Sequence, residues 1–156
     1  MRDELMVLMN LKSVSRTGWV RAGVEKPESV AAHSWGMAIL ALRLCPPTLD
    51  LSTVLKYCLI HDLPEILVGD LTPEDDRSTK AEDEHAAMKI LAPQWLETFE
   101  AYERQDTPEA RFVHQLDRLD MGLQAQVYEA ETGLDLNQFL ESAKAVVKDS
   151  HLSELL

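Results

Sequence analysis

The sequence is poor in the features that mark secreted proteins, membrane proteins and proteins that bind polyanions. Its 156 residues include only two cysteines, Cys45 and Cys58, and both lie beside apolar residues in a helical pattern. Two reduced thiols in a protein core are the favoured interpretation, and a disulfide is the less favoured one. No apolar run approaches the length of a membrane span, and the first residues lack the pattern of a signal peptide. We therefore expect a cytoplasmic protein that does not contact a membrane.

Positive charge is also scarce. Fifteen lysines and arginines stand against 27 aspartates and glutamates, which gives a net charge of −12. This balance argues against a nucleic-acid polymer as partner, because binding along its backbone requires many cationic contacts. A small phosphate ester held by one local patch remains compatible with it. The segment from Lys12 to Lys26 offers such a patch, because it carries four cations against Glu25 alone. It is either a solvated loop or an anion site, and the nearby Trp19 and two glycines favour the anion site.

Several motifs of catalysis and metal binding are missing. The sequence has no glycine-rich phosphate loop, no nucleophile elbow and no paired Cys-x-x-Cys. These absences argue against a nucleoside triphosphatase, a serine hydrolase and a structural zinc site. No stretch alternates apolar and polar residues as a half-buried strand would. The sequence instead predicts an all-α fold, a single compact helical bundle that occupies residues 1–156.

Caps and helix breakers set the expected helix boundaries. Ser29, Asp50 or Ser52, and Thr107 are plausible N-caps, and Gly133 is a plausible end of the longest helix. Segment 13–27 is broken by glycine and proline and is predicted to be irregular, and segment 69–77 is predicted to be an acid-rich loop. The predicted helices cover approximately residues 3–11, 29–44, 52–61, 79–91, 93–105, 107–132 and 137–148.

The pair His61-Asp62 lies at the end of an apolar helical run. Burying an imidazole and a carboxylate is costly unless they pair with each other or bind a metal. His33 and Asp117 raise the same question, because each lies on the apolar stripe of another predicted helix. Two imidazoles and two carboxylates from three helices form a plausible set of ligands for one divalent cation. On spacing alone, a metal site and a set of hydrogen-bonded core residues are supported about equally.

The order His33, His61-Asp62, Asp117 resembles that of the HD-domain superfamily of metal-dependent phosphohydrolases. Further segments resemble its 5′-deoxynucleotidase branch more narrowly, and together the matches extend from about Leu5 to Phe139. The segments that carry the resemblance are Arg16–Trp19, Pro27–His33, His61–Glu65, Gly69–Leu71, Gln115–Asp117 and Gln124-Ala125. Enzymes of this branch are all-helical, typically homodimeric, and remove the 5′-phosphate from deoxyribonucleoside monophosphates.

The resemblance implies a metal shell and a catalytic group. His33, His61, Asp62 and Asp117 would hold one divalent ion, and their mixed nitrogen and oxygen ligands suit manganese, cobalt, iron, nickel, zinc or magnesium. Such an ion makes bound water more acidic and neutralises charge on a phosphate. Glu65 lies three positions after Asp62 without a ligand role, so it is the candidate to handle the proton on the water or on the leaving oxygen.

The same resemblance implies residues that bind the substrate, a deoxyribonucleoside 5′-monophosphate. Arg16 would hold the phosphate with its planar guanidinium. Trp19 would offer an apolar wall against the sugar, where crowding could exclude a 2′-hydroxyl, and Asp70 would accept a hydrogen bond from the sugar. Lys80 is either a further phosphate neighbour or a solvated lysine at a helix start.

Two other functions remain open at this stage. One is a different HD phosphohydrolase, such as a cyclic-nucleotide phosphodiesterase or a guanosine polyphosphate hydrolase. The other is a non-catalytic helical metal-binding module, against which the presence of Glu65 and Arg16 counts, because a structural metal site needs neither. The chain departs from the branch in its shorter C-terminal part and in the acid-rich loop after Asp70, and these departures leave the base preference open.

Overall fold

The computed structural model describes all residues from Met1 to Leu156, and its regular structure is helical throughout. One 3₁₀ segment, Met9–Ser13, follows the first α-helix, and another, Pro93–Trp95, precedes the seventh. The predicted all-α class is confirmed. The α-helices are α1 (Arg2–Leu8), α2 (Thr17–Arg21), α3 (Val30–Leu44), α4 (Leu51–Ile60), α5 (Glu65–Val68), α6 (Lys80–Leu91), α7 (Leu96–Glu103), α8 (Pro108–Thr132), α9 (Asn137–Val146) and α10 (Ser150–Ser153).

The starts of the two helices that carry most of the site follow the predicted caps. Ser29 caps α3, because its hydroxyl oxygen accepts a hydrogen bond from the backbone N–H of Ala32 at 3.2 Å. Thr107 caps α8 in the same way through Ala110. Helix α8 ends where predicted, at Gly133, whose φ of 73° places it in the left-handed region that favours glycine. These local signals therefore define both ends of the longest helix.

Two sequence-based expectations are wrong. The segment predicted to be irregular contains α2, a helix too short to form alone. Packing accounts for it, since Trp19 on α2 is 1% exposed and contacts the rings of Tyr128 and Phe139. The position of Trp35 in an apolar helical segment predicts a packing residue, yet Trp35 is 66% exposed on α3. A tryptophan by itself does not reveal which face of an apolar helix is covered.

Helices α3, α4 and α8 enclose the main core. Its fully buried members include Met37 of α3, Val54 and Cys58 of α4, and Leu116 of α8. Both cysteines are free thiols, which agrees with the favoured interpretation of two reduced cysteines. None of the helices combines the length and the apolar character needed to cross a bilayer. The predicted metal ligands lie on two of these helices, α3 and α8, and directly after the third, α4.

An isolated antiparallel bridge joins the segment before α2 to the start of α3. It pairs Ser15 with Ser29, and the backbone N–H of Arg16 donates to the carbonyl of Glu28 at 3.1 Å. This pairing holds Arg16 next to the helix that carries His33. The basic segment is thereby tied to the helix that bears the first candidate ligand.

Candidate active site

The four predicted metal ligands come together from three helices. His33 lies on α3, His61 and Asp62 follow the last residue of α4, and Asp117 lies on α8. The first three offer ligand atoms that all lie within 4.8 Å of one another. Asp117 joins them through His33, since its Oδ1 is 3.1 Å from Nε2 of that ring.

Both imidazole rings are oriented by a hydrogen bond at Nδ1. His33 Nδ1 lies 2.7 Å from Oδ2 of Asp120, and His61 Nδ1 lies 3.1 Å from the backbone carbonyl oxygen of Cys58. A carbonyl can only accept, so His61 carries its proton on Nδ1. The two Nε2 atoms then face the carboxylates of Asp62 and Asp117, and both are buried without a hydrogen-bond partner.

This arrangement fits a divalent metal ion. Two buried ring nitrogens without partners lie beside two carboxylates, and metal-bound histidines usually donate their other N–H to a carboxylate or a carbonyl. Asp120 supplies that carboxylate for His33. Gly36 makes room for it, because a Cβ at this position would lie 2.2 Å from Asp120 Oδ1. The sequence analysis did not identify Asp120, although it lies one helical turn after Asp117.

In the metal-free protein, a protonated imidazole offsets part of the negative charge of the carboxylates in this cluster. Burial and Arg16 lower the pKa of His33, but the carboxylates of Asp117 and Asp120 outweigh them and raise it to about 9. Burial by itself raises the pKa of a carboxyl group, yet His61, His33 and Arg16 hold the pKa of Asp62 well below its usual range. The two imidazoles similarly lower the pKa of Asp117. The cluster is thus built to keep ionised carboxylates around a positive charge.

Glu65 opens α5 and is 3% exposed, and its Oε2 has no hydrogen-bond partner. Burial, reinforced by the carboxylates of Asp62 and Asp70, raises the pKa of Glu65 to about 10. The metal-free protein therefore carries Glu65 in its protonated form at neutral pH. A buried acid of this kind is suited to deliver a proton inside the cavity that it lines.

Arg16 faces the same cavity as a cation held between carboxylates. Its Nη1 lies 3.8 Å from Asp70 Oδ1 and 4.0 Å from Asp62 Oδ2, beyond hydrogen-bonding distance. Burial lowers the pKa of Arg16, but Asp62, Asp117 and Asp70 outweigh this and raise it above its usual value. The guanidinium is therefore permanently charged, and its donors are not taken up by these carboxylates.

A cavity of about 510 Å³ joins all the predicted substrate-binding residues. Asp70 Oδ2 accepts the backbone N–H of Thr17 at 2.6 Å, so Asp70 also holds the turn after Arg16. Lys80 lies 3.2 Å from Glu84 at the side of the cavity. Trp19 contributes to the wall of the cavity although its ring is almost fully buried. The residues that line the cavity include Arg16, Trp19, Asp62, Glu65, Asp70, Lys80 and Asp117.

A family model described as HD domain matches residues 8–155.

The chain belongs to the HD-domain family.

Curated relatives of this HD-domain protein include several 5′-deoxynucleotidases. The 5′-deoxynucleotidase HDDC2 of Bos taurus is 42% identical over 135 residues, which cover 80% of this chain and 66% of that protein. The 5′-deoxynucleotidase hdd1 of Schizosaccharomyces pombe is 35% identical over 155 residues, which cover 89% of this chain and 78% of that protein. The chain thus spans about two thirds to three quarters of these relatives. The predicted family and its 5′-deoxynucleotidase branch are confirmed.

Solved structures agree with the fold of this HD-domain protein. The crystal structure of the PH0347 protein from Pyrococcus horikoshii OT3 has a TM-score of 0.88 at 31% identity. The match covers 99% of this chain and 93% of that one. The helical arrangement that brings the four candidate ligands together is therefore shared with a related protein over almost its whole length.

The HD-domain cavity also contains residues that the motifs did not indicate. Arg118 follows the candidate ligand Asp117, and its buried Nε has no hydrogen-bond partner and lies 3.7 Å from Asp117 Oδ2. Phe139 and two polar neighbours line the cavity from α9. The sequence showed α9 only as a helix, because its contact with α2 and α8 is made by tertiary packing.

A second cavity of about 500 Å³ adjoins the ligand cluster from another side. It shares His61, Asp62 and Asp117 with the cluster, and His114 contributes to its lining. His114 follows Val113 on the apolar side of its helix, and the sequence favours the core or the surface for it over a place near the site. The structure places it beside the site.

Proposed function

We propose that this HD-domain protein is a metal-dependent phosphomonoesterase that converts deoxyribonucleoside 5′-monophosphates into nucleoside and phosphate. One observation carries the proposal: a candidate ligand set with two unpartnered imidazole nitrogens adjoins the same cavity as a largely buried arginine and a buried glutamate. The names of the curated relatives support the same reaction. Residues 1–156 would act as one HD domain, on a small nucleotide and not on a nucleic-acid polymer.

The proposed metal shell consists of His33, His61, Asp62 and Asp117. A divalent ion held there would make a water molecule more acidic and reduce the negative charge on the phosphate. Elemental analysis would identify the metal among manganese, cobalt, iron, nickel, zinc and magnesium. Asp120 would keep His33 turned toward the shell through the 2.7 Å contact at Nδ1.

Arg16 would bind the phosphate. Its planar guanidinium can donate two parallel hydrogen bonds to phosphate oxygens, which an ammonium group cannot do. Asp70 fixes the adjacent turn by accepting the N–H of Thr17, so the guanidinium is positioned before the substrate arrives. Arg118 and Lys80 add positive charge at the edges of the cavity.

Glu65 would provide the proton for the departing 5′-oxygen of the sugar. The P–O bond to this oxygen breaks as water attacks phosphorus, and the alkoxide that leaves is strongly basic until it is protonated. Glu65 holds a proton at neutral pH in the metal-free protein, and it lines the cavity with Arg16. It would be reset by the proton that the attacking water releases.

Trp19 and Asp70 would define the sugar site. The indole Nε1 donates to Glu28 Oε1 at 3.0 Å, and the ring packs against Tyr128, so its position is fixed. A fixed ring discriminates by leaving no room for an added group. Asp70 Oδ1, which is not used by Thr17, is available to accept a hydrogen bond from a sugar hydroxyl.

One experiment tests the activity directly. The protein is treated with a chelator and resupplied with single metals, and phosphate release is measured from deoxy and ribo 5′-monophosphates. A cyclic nucleotide and a guanosine polyphosphate serve as substrates of the competing HD activities. We expect release from deoxyribonucleoside 5′-monophosphates only after metal is returned. Preferential cleavage of either competing substrate would replace the proposed activity with that one.

We also propose that the chain is a cytoplasmic homodimer. The resemblance to the branch suggests the dimer, and α3 offers a surface for it, since the exposed side chains of Trp35, Ile39 and Leu42 repeat at helical spacing. Two copies with a net charge of −12 repel each other least when faces poor in charge meet, and Arg43 is the only exposed charged residue of α3. Trp35→Glu should convert a dimer measured by light scattering into a monomer of 17.6 kDa.

A further inference from the structure

The cavity that contains the proposed phosphate and sugar sites extends to helix α9. Gln138, Phe139 and Ser142 of α9 line it together with Arg16 and Asp62. The ring of Phe139 packs on α2, with its centroid 4.3 Å from that of Trp19. It also lies close to Gly18, where a Cβ would be 3.3 Å from Phe139 Cε1. Phe139 is therefore fixed next to the segment that carries the phosphate-binding arginine.

Phe139 offers more exposed ring surface to a ligand than the other aromatic residue of this cavity. Five apolar residues line the cavity, and Trp19 and Phe139 are the only aromatic ones among them. Trp19 is 1% exposed, whereas Phe139 is half-buried, so Phe139 has the larger accessible surface. Gln138 and Ser142 are exposed polar neighbours on the same helix.

We propose that α9 forms the nucleobase subsite, in which Phe139 stacks on the base and the amide of Gln138 bonds to its edge. The inference rests on the proposed function, because it takes the phosphate to be held near Arg16. The base is the flat, apolar-faced part of such a substrate, and an aromatic ring accepts the face of any base. An amide offers both donors and an acceptor, so it can distinguish the edges of different bases.

The test compares substrates with and without a base. Phe139→Leu keeps an apolar side chain against Trp19 but removes the flat ring. We expect kcat/KM for deoxyribonucleoside 5′-monophosphates to fall about five- to tenfold, as loss of a stacking contact predicts. The inhibition constant of 2-deoxyribose 5-phosphate, which lacks the base, should stay within about twofold of wild type. Equal losses for both compounds, or no loss for the nucleotide, would overturn the subsite.

Two further variants complete the experiment, one at Gln138 and one at an aromatic residue outside the cavity. Gln138→Ala should change the ratios of kcat/KM among the four deoxynucleotides, and unchanged ratios would remove Gln138 from the subsite. Trp95→Leu, a partly exposed aromatic outside the cavity, should leave both compounds unaffected. If the wild-type protein hydrolyses no nucleotide, the proposed function fails. If it is active but Phe139→Leu affects both compounds alike, only the base subsite fails.

Discussion

His33 is held from both sides of its ring, and the space for that arrangement depends on a glycine. Nδ1 contacts Asp120, Nε2 faces Asp117, and Gly36 lies directly against the Asp120 carboxylate. The side chain of Asp120 is short, so it cannot retreat from an added Cβ and also keep its bond to His33. Orientation of the metal-facing nitrogen therefore depends on a residue that has no side chain.

We expect Gly36→Ala to weaken metal binding by about 10- to 100-fold, the usual effect of losing a partner of a ligating histidine. The measurement is metal affinity by competition with a chromophoric chelator. Asp120→Asn, which keeps the size of the side chain but removes its charge, should show an effect in the same direction. Unchanged affinity in both variants would contradict the positioning role of Asp120.

Glu65 combines burial with a raised pKa, and both properties can be tested in Glu65→Gln. Removing a general acid or base typically slows turnover by about 100-fold or more. We expect kcat to fall by at least that factor while the bound metal, determined by elemental analysis, is retained. Near-normal kcat in a metal-replete variant would exclude Glu65 from proton transfer.

The raised pKa of Glu65 also predicts how stability depends on pH. The folded protein keeps this proton up to a pKa of about 10, whereas the unfolded chain loses it near the ordinary value of 4.5. Between these values the unfolded state binds fewer protons, so the contribution of Glu65 to stability falls as pH rises. Metal-free Glu65→Gln should therefore gain stability relative to wild type from pH 5 to pH 8 in urea unfolding. An equal difference at both pH values would contradict the shift.

Sugar selection can be tested at Trp19 with a substitution that preserves the aromatic packing of the fold. Trp19→Phe keeps an aromatic ring against Tyr128 and Phe139 but is smaller and loses the bond to Glu28. An apolar site rejects an added hydroxyl by about 100-fold at most. We expect the deoxy-to-ribo ratio of kcat/KM to fall several-fold, mainly because the ribonucleotide improves. If the ratio is unchanged, the sugar is recognised elsewhere, and Asp70 is the next residue to vary.

At the scale of elements, the acid-rich loop between α5 and α6 forms one side of the cavity. Asp75 in this loop accepts a hydrogen bond from Arg21 of α2 at 2.6 Å and another from the backbone N–H of Thr72 at 2.7 Å. The bond from Arg21, with those from Thr72, lowers the pKa of Asp75 to about 2. The charge pair therefore persists throughout the pH range of an assay, and it connects the loop to the helix that follows Arg16.

We expect Asp75→Asn to raise KM several-fold with a smaller change in kcat, because a loosened loop lines the cavity less closely but touches none of the ligands. Asp76→Asn is the matched control, since Asp76 lies in the same loop and bonds only to its neighbour Ser78. Steady-state kinetics on one deoxynucleotide separates the two parameters. Equal effects of the two substitutions would show that the contact with Arg21 does not position the loop.

At the scale of the whole molecule, a metal ion would join α3, the end of α4 and α8, the helices that enclose the main core. Ligand binding to the folded state alone adds about 2.7 kcal/mol at 100 times Kd. For a domain of this size we expect Tm to rise by about 5 to 10 °C on metal addition. Asp117→Ala should abolish the rise, the bound metal and the activity, while the exposed Asp3→Ala should change none of them. Stoichiometric metal in Asp117→Ala would exclude the four-ligand shell.

Features that depend on neighbours along the chain are predictable from the amino-acid sequence. Helix α8 was predictable at both ends, because its threonine cap and its terminal glycine act within one turn. The four candidate ligands were identifiable because ionisable groups on apolar helical stripes are costly to bury without a partner. The family followed from the same short segments.

Tertiary structure decided the features that depend on contacts between distant segments. Helix α2 exists because Trp19 is covered by residues more than 100 positions later, and such packing leaves no local signal at residues 13–27. Asp120 could be recognised as the partner of His33 only when α3 and α8 were placed side by side. The position of Phe139 in the cavity likewise depends on how α9 packs, because helical periodicity gives a buried face but not the element that covers it.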